Sequence, residues 1–207
     1  KEIEENIYTE GVRQKKCPLI RLPVRYHGHP LPIPEMMGVK ISRRMSSDQI
    51  RNSRLISHIG NIFQQMMLEG PLLVFVPEIA LVNEWVKILC FLFKDKKIKG
   101  SWSSDPDRNK NIETFVSGNC DILVSTSILE RGITINKVQV AVLFADHELC
   151  DVRSLVQMAG RAGRTAACPT GRVVFIAGKK TKEISLAIHW ITEQNNIAAQ
   201  GGLLQDG

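Results

Sequence analysis

The chain has 207 residues, 43% of them hydrophobic, and a formal net charge of +6, which suits a single core of ordinary size. No apolar run approaches the ~18 residues that a membrane span requires, and no signal-peptide pattern opens the sequence. The five cysteines are scattered without a C-x-x-C pair and the five histidines show no ligand spacing, so no metal site is assigned and a reduced, cytoplasmic setting is expected.

The charge is unevenly placed. Residues 11 to 54 hold ten Lys or Arg, among them Arg43, Arg44, Arg51 and Arg54, against only Glu35 and Asp48. A basic stretch of this kind is the electrostatic footprint expected for a polyanion, so Arg43 and Arg44 are candidate nucleic-acid contacts. The same stretch carries Pro18, Pro23, Pro30, Pro32 and Pro34, which block helix and favour extended backbone lying along another surface. Residues 1–45 therefore read as a basic, Pro-rich arm or linker, and residues 46–207 as the globular domain.

From about Met45 the pattern alternates between helix and strand. Ser46-Ser-Asp48 offers an N-cap to a helix whose Ile50, Leu55, Ile59, Ile62, Phe63, Met66 and Met67 recur at helical spacing, and Gly70-Pro71 ends it. Strands are predicted at 72–76, near Ile98, at 121–125, 138–144 and 172–176. Helices are predicted at 79–93, 105–117, 153–159 and 181–195. Such alternation predicts an α/β fold with three layers, a mostly parallel sheet covered by helices on both faces. Ligands of such sheets gather beyond the carboxyl ends of the strands, where Ser125, Thr126 and the turn after Phe144 are expected.

Four stretches carry chemistry. Gln157-Met-Ala-Gly-Arg-Ala-Gly-Arg164 sets two arginines three residues apart around a glycine, and guanidinium forks match phosphate oxygens. Ile122-Leu-Val-Ser-Thr-Ser-Ile-Leu-Glu-Arg-Gly-Ile-Thr-Ile135 runs an apolar strand into a polar turn with a glycine. Upstream lie Leu72-Leu-Val-Phe-Val-Pro-Glu78 and Asp105-Pro-Asp-Arg108. Together, in this order, they resemble the motifs of superfamily 2 helicases: Q-x-x-G-R-x-G-R, T-x-x-x-x-R-G with Thr126, Arg131 and Gly132, the strand that opens the second RecA-like domain, and a helix start with an acidic cap and an Arg.

That resemblance implies a RecA-like fold and a division of roles. Arg161 and Arg164 would act as arginine fingers on the transferring phosphoryl group of ATP. Gln157, Gly160, Gly132 and Thr134 would line the nucleotide side, with Gln157 bonding ribose, phosphate or the neighbouring motif. Ser125, Thr126, Pro77 and Arg108 would join Arg43 and Arg44 on the nucleic acid, holding phosphates without reading sequence. No G-x-x-x-x-G-K-[ST] loop occurs in these residues. ATP and Mg2+ are accordingly expected to be held mainly by an N-terminal RecA-like lobe of the same, longer protein, with little turnover from this piece alone.

Two departures narrow the family. Many RNA helicases place an Asp two residues after the R-G pair, whereas Thr134 stands here and Glu130 precedes Arg131. The string Ile128-Leu-Glu-Arg-Gly-Ile-Thr134 is very similar to the ComFA family of bacterial DNA-uptake ATPases, and more loosely to the primosomal helicase PriA. Arg21-Leu-Pro-Val-Arg-Tyr-His-Gly28 with Pro30-Leu-Pro-Ile-Pro34 also resembles the ComFA segment before this domain, as do Asp146-His147, Pro169-Thr-Gly171 and the closing helix. The resemblance implies a single-stranded DNA translocase at the inner face of the membrane, partnered by an uptake channel and other competence proteins. An RNA helicase, a primosomal-type lobe and a catalytically silent scaffold are the alternatives. Trp102 stands where such helicases often have a His; it either stacks on a base or packs against the core.

Overall fold

The computed structural model describes residues 22–41, 54–126 and 134–205. The expected cap Ser46–Asp48, the arginines 43, 44 and 51, and Glu130, Arg131 and Gly132 lie outside the described residues. Six strands form one sheet: β1 (Glu35–Gly38), β2 (Leu72–Phe75), β3 (Ile98–Ser101), β4 (Ile122–Ser125), β5 (Gln139–Leu143) and β6 (Val173–Ala177). Their spatial order is β1-β6-β5-β2-β4-β3, and every pairing is parallel. Five helices are described: α1 (Arg54–Glu69), α2 (Ile79–Leu92), α3 (Arg108–Val116), α4 (Val152–Ala159) and α5 (Lys182–Gln200).

The sheet is parallel because its strand sequences are apolar on both faces. Every residue of β2, β4, β5 and β6 is buried, and successive side chains point to opposite sides. Leu72, Val74, Ile122, Val124, Ala141, Leu143, Val174 and Ile176 join Ile59 and Phe63 of α1 and Trp85 and Leu89 of α2 in one core cluster. Leu73, Phe75, Leu123, Val140, Val142, Val173 and Phe175 face Phe115 of α3, Leu155 and Met158 of α4, and Ile184 and Ile191 of α5 in the other. This is the three-layer, RecA-like arrangement expected from the sequence.

Element boundaries have local causes, and some shift from the predicted ones. α1 ends at Glu69 because Gly70 must pass close to another chain segment: a Cβ there would lie 2.1 Å from the Lys137 carbonyl oxygen. α3 begins at Arg108 rather than Asp105, because residues 105–107 form a turn whose Asp107 and Arg108 amides are taken up by Asp105. α5 runs on to Gln200, past Asn195. β1 comes from the proline-rich stretch and pairs with β6 at the sheet edge, Glu35 beside Val174 and Gly38 beside Ala177.

Candidate nucleotide-sensing turn and strand-end ledge

α4 leaves the carboxyl end of β5 and runs back across the sheet. Asp151 caps it, its carboxylate accepting from the Ser154 amide at 2.7 Å, and the Ser154 hydroxyl, then this amide, hold the Asp151 carboxyl below its ordinary range. At the other end the helix tightens: the Arg161 amide donates to Met158 at 3.1 Å and the Ala162 amide to Ala159 at 3.2 Å. Gly163 then turns the chain with a φ of +61°, and a Cβ there would sit 2.2 Å from the Pro169 carbonyl oxygen. Only glycine fits both demands.

The turn lies at the amino edge of the sheet. Gly171, just before β6, is packed so tightly that an added Cβ would meet the Val138 carbonyl oxygen at 2.9 Å and the Ala162 Cβ at 3.1 Å. Arg161 and Arg164 are half-buried there, Gly160 sits at the helix end, and Gln157 is exposed one turn earlier.

A third guanidinium arrives from far back in the chain. Arg25 donates through Nη2 to the Gly160 carbonyl at 2.9 Å and through Nη1 to the carbonyls of Ala162 and Gly163. Buried His27 donates from Nε2 to the Gly163 carbonyl at 3.0 Å while its Nδ1 accepts from the His29 amide at 3.2 Å. The Tyr26 hydroxyl accepts from the Ala166 amide at 3.1 Å. Burial, then the charge of Arg164, brings the Arg25 guanidinium down to about 10. The same two causes, in that order, lower Arg161. The turn thus gathers three guanidinium groups, an arrangement that favours an oxyanion.

The carboxyl edge holds a different group. Phe75 of β2 and Ser125 of β4 pair directly, which brings half-buried Pro77 beside the end of β4. Ser125 is buried with its hydroxyl donating to the Thr126 carbonyl at 3.1 Å, and its own carbonyl accepts from the Val76 amide at 2.9 Å. Thr126 is also buried. Half-buried Arg108 opens α3 after β3, the next strand along. Trp102 packs against the core beside Gly100. Thr134 is exposed where the described chain resumes.

The structure thus places the sequence-selected residues at two edges, Gln157, Gly160, Arg161 and Arg164 at one and Pro77, Arg108, Ser125 and Thr126 at the other. Three features escaped sequence reasoning. Arg25 and His27 are one. His147, its side chain 2% exposed, donates from Nε2 to Glu78 at 2.9 Å and accepts the Leu149 amide on Nδ1 at 3.1 Å, tying the β5 turn to the β2 turn. Lys40, Asp146, His147 and Lys179 line a cleft of about 400 Å³ at the ends of β1, β5 and β6. The strings R-Y-H-G and D-H were visible in the sequence, but nothing local gives their partners.

The chain is 35% identical over 193 residues to competence protein ComFA of Streptococcus pneumoniae (strain ATCC BAA-255 / R6), covering 93% of this chain and 44% of that one. It is 30% identical over 182 residues to ComFA of Bacillus subtilis (strain 168), covering 87% and 38%. It therefore spans less than half the length of these curated relatives. Among solved structures, Mycobacterium smegmatis helicase Lhr bound to ssDNA and AMP-PNP superposes with a TM-score of 0.60 at 16% identity, over 81% of this chain and 22% of that one. S. cerevisiae Dbp5 bound to RNA and ADP BeF3 gives 0.58 at 17% identity, over 96% and 52%. At such identities these two likenesses concern the fold. Residues 54–166, running from α1 through all four sequence motifs to the turn beyond Arg164, match the helicase conserved C-terminal domain, and the chain belongs to that family.

Proposed function

We propose that this chain is the C-terminal lobe of an ATP-dependent single-stranded DNA translocase that draws DNA into the cell during bacterial competence. The observation that carries the reading is the turn after α4, where Arg161 and Arg164 share a half-buried site with Arg25. The likeness to ComFA over most of the chain supplies the biological setting. The guanidinium groups of Arg161 and Arg164 suit the phosphate end of a nucleotide in charge and in the type of donor they offer. ATP supplies the phosphoryl group and Mg2+ its counter-charge, both held mainly by an N-terminal RecA-like lobe of the same protein.

Within that scheme Arg161 and Arg164 stabilise the charge that builds on the phosphoryl oxygens as water attacks. Gln157, Gly160, Gly132 and Thr134 shape the nucleotide side of the cleft. At the carboxyl edge, Pro77, Arg108, Ser125 and Thr126, with Arg43 and Arg44 of the basic arm, hold the DNA backbone independently of sequence. Residues 1–45 join this lobe to the preceding region, with Glu35–Gly38 pairing at the sheet edge. Closing and opening of the two lobes then moves the strand. The site of action is the cytoplasmic face of the membrane, beside the uptake channel and other competence proteins.

The test is DNA-stimulated ATP hydrolysis by the full-length protein and its Arg164→Ala variant. Turnover is expected to fall by roughly 10³-fold or more with ATP binding and folding retained. Equal rates in the two proteins would overturn the reading in favour of a scaffold.

A further inference from the structure

We infer that Arg25, seconded by His27, is a positioning residue that sets the aim of Arg161 and Arg164 from outside the conserved helicase domain. The inference rests on the arginine-finger reading above and deepens it. Arg25 precedes the matched stretch of residues 54–166 and is separated from its carbonyl partners by 135 to 138 positions.

The end of an α-helix leaves carbonyls without intrahelical donors. Here those of Gly160, Ala162 and Gly163 all converge on Arg25, and the last is shared with His27. Each carbonyl belongs to the peptide plane that leads into the next residue. Holding the Gly160 and Gly163 carbonyls therefore fixes the planes that enter Arg161 and Arg164, and holding Ala162 fixes the one between. The starting directions of both finger side chains follow from these planes.

The fork is itself firmly mounted. Leu31 exchanges both of its backbone bonds with the Asn195 side chain of α5, at 2.7 and 2.9 Å, and the Gly28 carbonyl accepts the Gln205 amide at 2.9 Å. Glu35 at the start of β1 takes a two-pronged bond from Arg172, at 3.0 and 2.9 Å. Residues 25–35 thus join α5 and the sheet edge to the arginine turn. A guanidinium placed beside two others adds repulsion, and Arg25 is pulled down by burial and by Arg164. A neutral donor would satisfy one carbonyl without that cost, whereas only a fork reaches three.

Full-length Arg25→Met keeps the apolar stem and removes the donors. Its kcat for DNA-stimulated ATP hydrolysis is expected to drop at least about tenfold, as for misplaced catalytic groups, while KM for ATP and single-stranded DNA affinity stay within twofold. Arg25→Lys, which keeps charge and packing, is expected to fall between that variant and the parent. In an Arg161→Ala/Arg164→Ala background, Arg25→Met is expected to cost no more than twofold further, because both groups it aims are gone.

Folded Arg25→Met with parental kcat, or losses that multiply in the background lacking both finger arginines, would overturn the positioning role. Should Arg25→Met not fold, Arg25→Lys decides: parental kcat overturns the inference, and a lowered kcat at unchanged KM supports it. Parental turnover in Arg164→Ala alone would instead remove the arginine-finger reading, whatever Arg25 does.

Discussion

The two edges of the sheet are held by different means. At the carboxyl edge, Ser125, Thr126 and Pro77 are fixed by the ladder that makes the sheet, with Val76 bonded to Ser125 and β2 in register with β4. At the amino edge, the arginine turn lies outside the ladder and takes its donors from Arg25 and His27, more than 130 positions away. Strand ends are rigid wherever a sheet forms. A turn that must hold two cations close together needs support of its own, and this fold brings that support from the segment that precedes the conserved domain.

The comparison breaks most visibly at Gly163. Gly163→Ala puts a Cβ at φ +61° and 2.2 Å from the Pro169 carbonyl oxygen, a backbone atom that cannot yield. Strain at that φ costs ~1–2 kcal/mol by itself, and the collision adds to it, so a loss of more than about 2 kcal/mol is expected in urea unfolding. Gly118→Ala is the control. Gly118 shares a positive φ, +76°, but has nothing within 4 Å of an added Cβ, so only the strain of ~1–2 kcal/mol applies. Equal losses at the two positions would mean that the turn is not tightly packed against Pro169.

Why one edge was legible in the sequence and the other only half so follows from where the bonds lie. Strands such as Leu72–Phe75 and Val173–Ala177 announce themselves by unbroken apolar runs, because both faces are buried. Gln157–Arg164 announces itself because its glycines and arginines recur at a fixed, recognisable spacing. Arg25 does not, since its acceptors are backbone carbonyls that carry no residue identity. β1 was hidden for a related reason: Glu35–Gly38 is short, follows a run of prolines, and gains its strand character only by pairing with β6. His147 and Glu78 lie 69 positions apart, and only the neighbouring strands β5 and β2 bring them together.

His147→Ala tests whether the carboxyl edge has any long-range tie of its own. The imidazole is buried, and its bond to the half-exposed Glu78 carboxylate is one to a charged group, for which about 1.5 kcal/mol of stability is expected to be lost. Because this tie does not touch the arginine turn, the losses of His147→Ala and Arg25→Met in thermal or urea unfolding are expected to add. Marked non-additivity would join the two edges into one network.

The smallest expected effect lies within α4, whose two ends repeat the comparison on the scale of one helix. Its carboxyl end relies on Arg25; its amino end relies on Asp151, which bonds Ser154 three residues on. Asp151→Ala is expected to cost about 1 kcal/mol, the usual value of an N-cap, and to leave kcat unchanged. The Asp151 carboxyl is held low first by the Ser154 hydroxyl and then by its amide. A carboxyl lowered in the folded state lends stability that is present above its unfolded pKa of about 3.9 and is lost as pH falls through the folded value. The stability gap between the parent and Asp151→Ala should therefore hold constant through neutral pH and narrow on acidification below the ordinary aspartate range. A gap that persisted unchanged in strong acid would show that the cap does not depend on the charge, and a loss of turnover in this variant would show that the two ends of α4 are coupled.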